Sequence, residues 1–384
     1  MITQKIEIRK IYIFWCKRII MIDSRLIMLE GMPSTGKTTN SRFIHIQFER
    51  NNINAKWIHE VAMPHPVLFF DEVGFMHDEY EKFIKTYPEA ADTLNNIAVF
   101  KKSTVGIHLP EIQWKYTDKI GENVYQALQE FDVWNFPLDI YKKFALEKWA
   151  HFTGKALENR DEIYIIDSAI FQFQIFTFLF KNRPYEELQR FINQIIKIIQ
   201  PLNPCLIYLY RDNTEATIDY LEKDRGTSYL DYLWNRDKAQ PYYTGRPPGA
   251  ESFKQFLRDY AGMADMLFDS FSANKLSLEI SDGNWACRED EMLSFLEVNR
   301  IPSPDAFPQN GVYTNVALGF VIKVDGLSFI DPTGQTRKLF PKAHNEFYVD
   351  WLPTVLRFEE GKIVISGSQI CERWTTTGMI YDRV

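Results

Sequence analysis

Near the start of the chain, residues Gly31 to Thr38 read GMPSTGKT, and this GxxxxGKT spacing is the tightest constraint on what the chain can fold into. The pattern works only between a strand and a helix: its glycines let the backbone curl, and the helix N-terminus turns its free N–H groups into the curl. Leu26 to Leu29 (LIML) supplies an apolar strand, and Thr39 to Arg50 is patterned as a helix. An α/β fold is expected, with this loop on the first strand of a parallel sheet. A polyphosphate is the natural occupant, because backbone N–H groups, a Lys and a metal-binding hydroxyl answer its charge. The expected contacts are Gly31, Pro33, Ser34, Thr35, Gly36, Lys37, Thr38 and Thr39. Lys37 would reach the β and γ oxygens and Thr38 would ligate Mg²⁺.

At 384 residues the chain exceeds the size at which one core usually stops growing, so two domains are expected. A net charge of −7 argues against broad binding to a nucleic-acid backbone, which needs a basic surface. Cys16, Cys205, Cys287 and Cys371 lie far apart, without the spacing of a zinc site or a disulfide framework. A cytoplasmic protein is expected. No run approaches the roughly 18 apolar residues of a membrane span. Residues 1–20, where five basic residues surround the short apolar patch Ile11 to Cys16, read as an appendage, with Met21 as an alternative start.

Ala55 to His59 reads as a second strand ending at Glu60. From about Phe75 to Asn159, aromatics at i, i+3 and i+4 spacing predict a long helical insert. Glu162 to Ile166 is a near-continuous apolar run, as in a buried parallel strand. Helices are expected over Ala169 to Lys181 and Tyr185 to Gln200, then a strand at Cys205 to Tyr210 and a helix at Thr214 to Lys223. A polar stretch with Arg225, Arg236 and Arg246 reads as a lid over 225–250. Ser252 to Phe271 (helix), Leu276 to Ile280 (strand) and Cys287 to Val298 (helix) complete a domain spanning 21–299. Three prolines mark 300–310 as a linker. Beyond it, short apolar runs at Ala317 to Val324, Gly326 to Ile330, Glu346 to Trp351, Thr354 to Phe358, Lys362 to Ile365 and Glu372 to Thr376 predict a small antiparallel β domain over 311–384.

Two segments compete to supply the carboxylate beside Mg²⁺: VLFFDE (Val67 to Glu72) and IYIIDS (Ile163 to Ser168). A parallel strand needs a crossover of a dozen or more residues, and too little chain separates Glu60 from Val67. Asp167 is therefore the expected metal-side carboxylate, a role compatible with capping the helix that follows. Glu60 falls at the C-terminal end of the second strand, where open α/β sheets bind ligands, and can orient or deprotonate an acceptor hydroxyl. His65 and Asp71 cannot be told from ordinary loop residues by sequence. Arg225, followed by Gly226, is the first candidate to meet developing phosphoryl charge, ahead of Arg211, Arg236 and Arg246. Asp282 to Trp285 (DGNW) follows the last strand and either packs on a base or anchors a turn.

The order LEGMPSTGKTT (Leu29 to Thr39), Glu60, IIDS (Ile165 to Ser168), PCLIYLY (Pro204 to Tyr210) and LEKDRG (Leu221 to Gly226) resembles the thymidylate kinase and deoxynucleoside kinase branch of P-loop NTPases. The resemblance covers roughly 21–299. It implies a five-stranded parallel sheet in 2-3-1-4-5 order, covered by helices, with Glu60 as base toward a sugar hydroxyl and Arg225 closing over the phosphates. Ser168 and Ala169 stand where the family usually has Arg, and the long insert and C-terminal β domain are additions. The expected activity is ATP- and Mg²⁺-dependent phosphoryl transfer, with Lys37, Glu60 and Arg225 as catalytic residues. The acceptor is a small molecule, nucleoside or nucleotide included, with no nucleic-acid or membrane partner; a homodimer is compatible. The alternatives are an ATPase or GTPase switch resting on Asp71 and Glu72, or a nucleotide-binding regulatory protein.

Overall fold

The computed structural model describes residues 23–370 and 372–384; the N-terminal appendage, Met21, Cys16 and Cys371 lie outside them. Among the described residues, eight strands precede the linker: β1 (Leu26–Gly31), β2 (Ala55–Ile58), β3 (Glu72–Met76), β4 (Val99–Phe100), β5 (Thr104–His108), β6 (Ile163–Asp167), β7 (Pro204–Tyr210) and β8 (Asn274–Glu279). Five of them form a sheet in the order β2-β6-β1-β7-β8, every pair parallel. Renumbered within that sheet, this is the 2-3-1-4-5 order. β1 sits at its centre, pairing Leu26 with both Tyr164 and Pro204, and all six of its residues are buried. Burial on both faces is why LIML and IYII are apolar without alternation. VLFF, as the crossover argument requires, is not a strand.

The insert between β2 and β6 departs from the all-helical expectation. β3, β5 and β4 form an antiparallel three-stranded sheet, flanked by helices that include Leu138–Glu158. EVGFM and TVGIH pair so that Val73 faces Ile107, Gly74 faces Gly106 and Phe75 faces Val105. A Cβ on Gly74 would come within 2.4 Å of Phe144 Cε1, so the glycine is what lets the long helix lie on the strand. The aromatic spacing was helical from Phe144 to Trp149, but around Phe75 the operative period was two.

The expected lid is also more ordered than a polar loop. A helix runs over Tyr229–Asp237 and a 3₁₀ turn over Pro241–Tyr243, and Leu230, Tyr242 and Tyr243 are buried in the main core. Arg246 lies 3.9 Å from the Tyr242 ring centroid and donates to the Tyr242 carbonyl, so its guanidinium is spent on this packing.

Residues 301–310 carry no helix or strand, and the remainder is a closed antiparallel barrel of eight strands between Gly311 and Arg383. Alternate residues point inward, among them Tyr313, Ile322, Phe347, Leu356 and Ile363, all fully buried. Three strands escaped the sequence: Gly311–Asn315, Thr336–Ala343 and Ile380–Arg383. Charged residues face water on each of the last two, diluting the apolar signal. Glu372 to Thr376 is not a strand; it holds a 3₁₀ turn whose Trp374 plugs the barrel and whose carbonyl accepts from the Tyr381 hydroxyl at 2.9 Å. No helix among the described residues is long and apolar enough to cross a membrane.

The barrel packs on the first helix, Lys37–Arg50. Tyr348 and Val355 join Phe48 and Trp57 in the core on that face of the parallel sheet. His45 Nε2 meets the Ala55 carbonyl at 3.1 Å, so the proton is there, and Nδ1 accepts from the Tyr348 hydroxyl at 2.9 Å.

Candidate functional site

The C-terminal ends of β2, β6, β1 and β7 converge on the loop at Gly31. Gly31 has no room for a side chain: a Cβ would come within 2.3 Å of the Leu209 carbonyl oxygen. Its own carbonyl accepts from the buried Tyr260 hydroxyl at 3.0 Å, which fixes the start of the curl. Gly36, at φ +85°, adopts a left-handed conformation that L side chains avoid, and a Cβ there would come within 2.9 Å of Trp285. Lys37 opens the helix, is buried, and donates to the Met32 carbonyl at 2.9 Å, closing the loop on itself. Burial holds its ammonium below the usual lysine range, against the pull of Glu60, Glu30 and Asp167.

Asp167 ends β6 and is fully buried. Its Oδ2 accepts from the Ser41 hydroxyl at 3.1 Å, and Ser41 in turn accepts from Trp57 Nε1 at 2.9 Å. Burial raises the Asp167 pKa and Glu60 adds to this, while His59, the Thr38 hydroxyl and Lys37 pull it down. His59 Nδ1 accepts the Val61 N–H at 3.0 Å, leaving the proton on Nε2.

Several buried polar atoms around this loop lack any partner: Ser34 Oγ, His59 Nε2, Asp167 Oδ1, Ser168 Oγ and Gln172 Oε1. Buried polar atoms are normally satisfied, so their convergence marks a place built for a polar occupant. The Asp167 carboxylate and the Thr38 hydroxyl beside it are oxygen ligands that a hard cation such as Mg²⁺ would take, with water and phosphate as most of the rest.

Three cavities meet here. The first, about 660 Å³, is bordered by Gly36, Lys37, Thr38, Glu60, Arg225 and Trp351. A second, about 690 Å³, is walled by Phe70, Trp134 and Phe173, with Asp71, Asn135 and Gln240 as polar contacts. Glu60, Gln172, Phe176 and Arg236 border both, so Glu60 stands at the junction. Gln172 Nε2 donates to Glu60 Oε2 at 3.3 Å. The third cavity, about 490 Å³, lies on the far side of Gly36 between Trp285 and Tyr220, with Arg211 beside them.

The structure thus brings Lys37, Thr38, Glu60, Asp167 and Arg225 to one place. Arg225 is half-exposed and ion-paired with the neighbouring Asp224 at 3.4 Å, while Arg236 is bidentate on Asp237 at 2.8 and 2.6 Å. Arg246 is elsewhere. Asp71 faces the aromatic cavity; His65 and Glu72 line a separate one.

Glu30, Gln172 and Trp351 were missed in the sequence, while Arg236, ranked there behind Arg225, borders both cavities. Glu30 accepts the N–H groups of Ile170 (2.6 Å) and Gln172 (3.1 Å), tying β1 to the turn after β6, and burial raises its pKa to about 7. A charged residue directly before a glycine in an apolar strand was the available signal. Trp351 had none, since only tertiary folding brings the barrel here. The sequence matches no protein-family model and no curated protein.

Proposed function

We propose that this protein is an ATP- and Mg²⁺-dependent phosphotransferase that transfers a phosphoryl group to a hydroxyl or phosphate of a small molecule. The observation that carries the proposal is the shared wall: Glu60, Gln172, Phe176 and Arg236 separate the loop cavity from an aromatic-walled cavity of similar size. A phosphate tail on Lys37 and an acceptor among Phe70, Trp134 and Phe173 would meet beside Glu60.

In this reading the loop N–H groups and Lys37 hold the terminal phosphates, and Thr38 and Asp167 hold Mg²⁺, which neutralises phosphate charge when bound. Glu60 takes the proton of the acceptor hydroxyl, with the Gln172 amide fixing one carboxylate oxygen and leaving the other free. Arg225 and Arg236 offer cations to the transferring group. The base of the nucleotide would stack on Trp285 beside Arg211, in the cavity behind Gly36.

A switch that hydrolyses nucleotide without an acceptor would rest on Asp71 and Glu72. Glu72 is ion-paired with Lys148 in another cavity, which favours the acceptor reading. Screening nucleosides, nucleotides, sugars and aminoglycoside-like alcohols for acceptor-dependent ADP release tests the choice. At least one should raise turnover well above the acceptor-free rate; uniform turnover with every compound would support the switch.

A further inference from the structure

A fourth cavity, about 530 Å³, lies behind the segment that follows Glu60, with Met63, Pro64 and His65 in its wall. It shares no lining residue with the loop cavity or the aromatic one. Its polar end is a buried charge cluster. Lys148 pairs with Glu72 and donates to the Leu68 carbonyl at 2.5 Å, while Lys101 Nζ stands 3.8 Å from the other Glu72 oxygen, too far for a hydrogen bond. The side chains of Lys101, Lys148 and Glu72 are 4%, 6% and 9% exposed, so two ammonium groups share one carboxylate out of water. Buried charge without a counter-charge is costly.

The surrounding backbone makes room for this cluster. A Cβ on Gly106 would come within 2.6 Å of Glu72 Oε1 and 2.7 Å of Lys101 Nζ. Further donors point to the same chemistry. His65 Nδ1 accepts the N–H groups of Val67 and Leu68, so the proton is on Nε2, which is buried without a partner. His108 Nε2 is also buried and unpartnered. Burial above all lowers the pKa of His65, His108 and His151, leaving them as neutral polar groups near pH 7. At the rim Lys155 pairs with Glu158 and Glu111 with Lys115, and Lys56 and Glu162 carry opposite charges, so the unbalanced positive charge is the inner one. Ile58, Val99 and Phe152 give an apolar stretch of wall, beside polar Asn159, Ser368 and Gln369.

We propose that this cavity binds a small organic anion, a carboxylate or phosphate monoester, whose charged group completes the Glu72–Lys101–Lys148 cluster and whose apolar body rests on Ile58 and Phe152. The occupant would press on residues 62–66, the segment that begins two residues past Glu60. The site stands independently of phosphoryl transfer.

Calorimetric titration of the full chain with benzoate and with phenyl phosphate tests it and separates the two anion types. At least one probe should bind saturably. Lys101→Met should weaken that binding tenfold or more, Glu72→Gln should tighten it several-fold by removing the competing carboxylate, and Lys37→Ala should leave it unchanged. Thermal unfolding of each variant reports whether it folds; if Lys101→Met does not, Glu72→Gln decides alone. Absence of binding by both probes, binding lost in Lys37→Ala, or binding that Glu72→Gln leaves unchanged or weakens would overturn the proposal.

Discussion

His59 stacks on Trp351, ring centroids 5.6 Å apart and planes 26° from parallel, so the barrel touches the end of β2 one residue before Glu60. Trp351 also borders the cavity that holds Lys37 and Thr38. The barrel is therefore part of the candidate site's wall. Trp351→Ala should fold, because the residue is 43% exposed, yet weaken nucleotide binding or turnover by about 3- to 10-fold, the worth of roughly one aromatic contact. Unchanged titration and kinetics would mean that the barrel only abuts the site.

The barrel and the parallel sheet share a core through Tyr348, Phe48 and Trp57. Tyr348→Ala removes this packing and the hydrogen bond to His45, and should cost about 3–5 kcal/mol. Thermal denaturation should show a lowered midpoint for the whole chain. Early melting of the barrel alone, with the sheet unaffected, would show that the two units fold independently.

Glu30 gives a pH signature. Its folded pKa, about 7, lies above the ordinary 4.5. The folded state thus holds a proton that the unfolded chain releases, and stability is full below about 4.5 and falls as pH rises through about 7. Glu30→Gln, which stays neutral, should lose this dependence. Relative to the parent chain it should gain about 2–3 kcal/mol between pH 5 and pH 8. Denaturant titrations at the two pH values measure the gain; a constant difference would mean Glu30 is ionised throughout.

Glu60 separates binding from transfer. Glu60→Gln keeps the size and the contact with Gln172 but cannot accept a proton, so turnover should fall about 10²- to 10⁴-fold while nucleotide affinity stays. If Glu60→Gln transfers at the parent rate, the proton goes elsewhere, to one of the other carboxylates of the aromatic cavity, Asp71, Asp132 or Asp237.

The parallel strands were legible because strands buried on both faces leave continuous apolar runs, as LIML and IYII do, whereas their order was an expectation from the resemblance alone. The loop was legible because glycine and Lys-Thr spacing is local. The insert's small sheet was not, since EVGFM and TVGIH are short and their signal, a shared Val-Gly-aromatic or aliphatic pattern, acquires meaning only when Gly74 and Gly106 face each other. Trp351, Arg236 and Gln172 reach the site from three distant parts of the chain. No periodicity encodes such a meeting. Conversely, Arg246 was readable as a charge but not as one stacked on Tyr242, and the 3₁₀ plug at Trp374 mimics a strand in composition alone.

The central claim is that the Gly31 loop wraps a nucleotide's phosphates against Lys37, and calorimetric titration of the full chain with Mg-ATP, beside the same titration of Lys37→Ala, tests it most directly. The parent chain should give a saturable isotherm near one nucleotide per chain, and Lys37→Ala should weaken it a hundredfold or more. No heat from the parent chain, or equal affinity in the variant, would contradict the account.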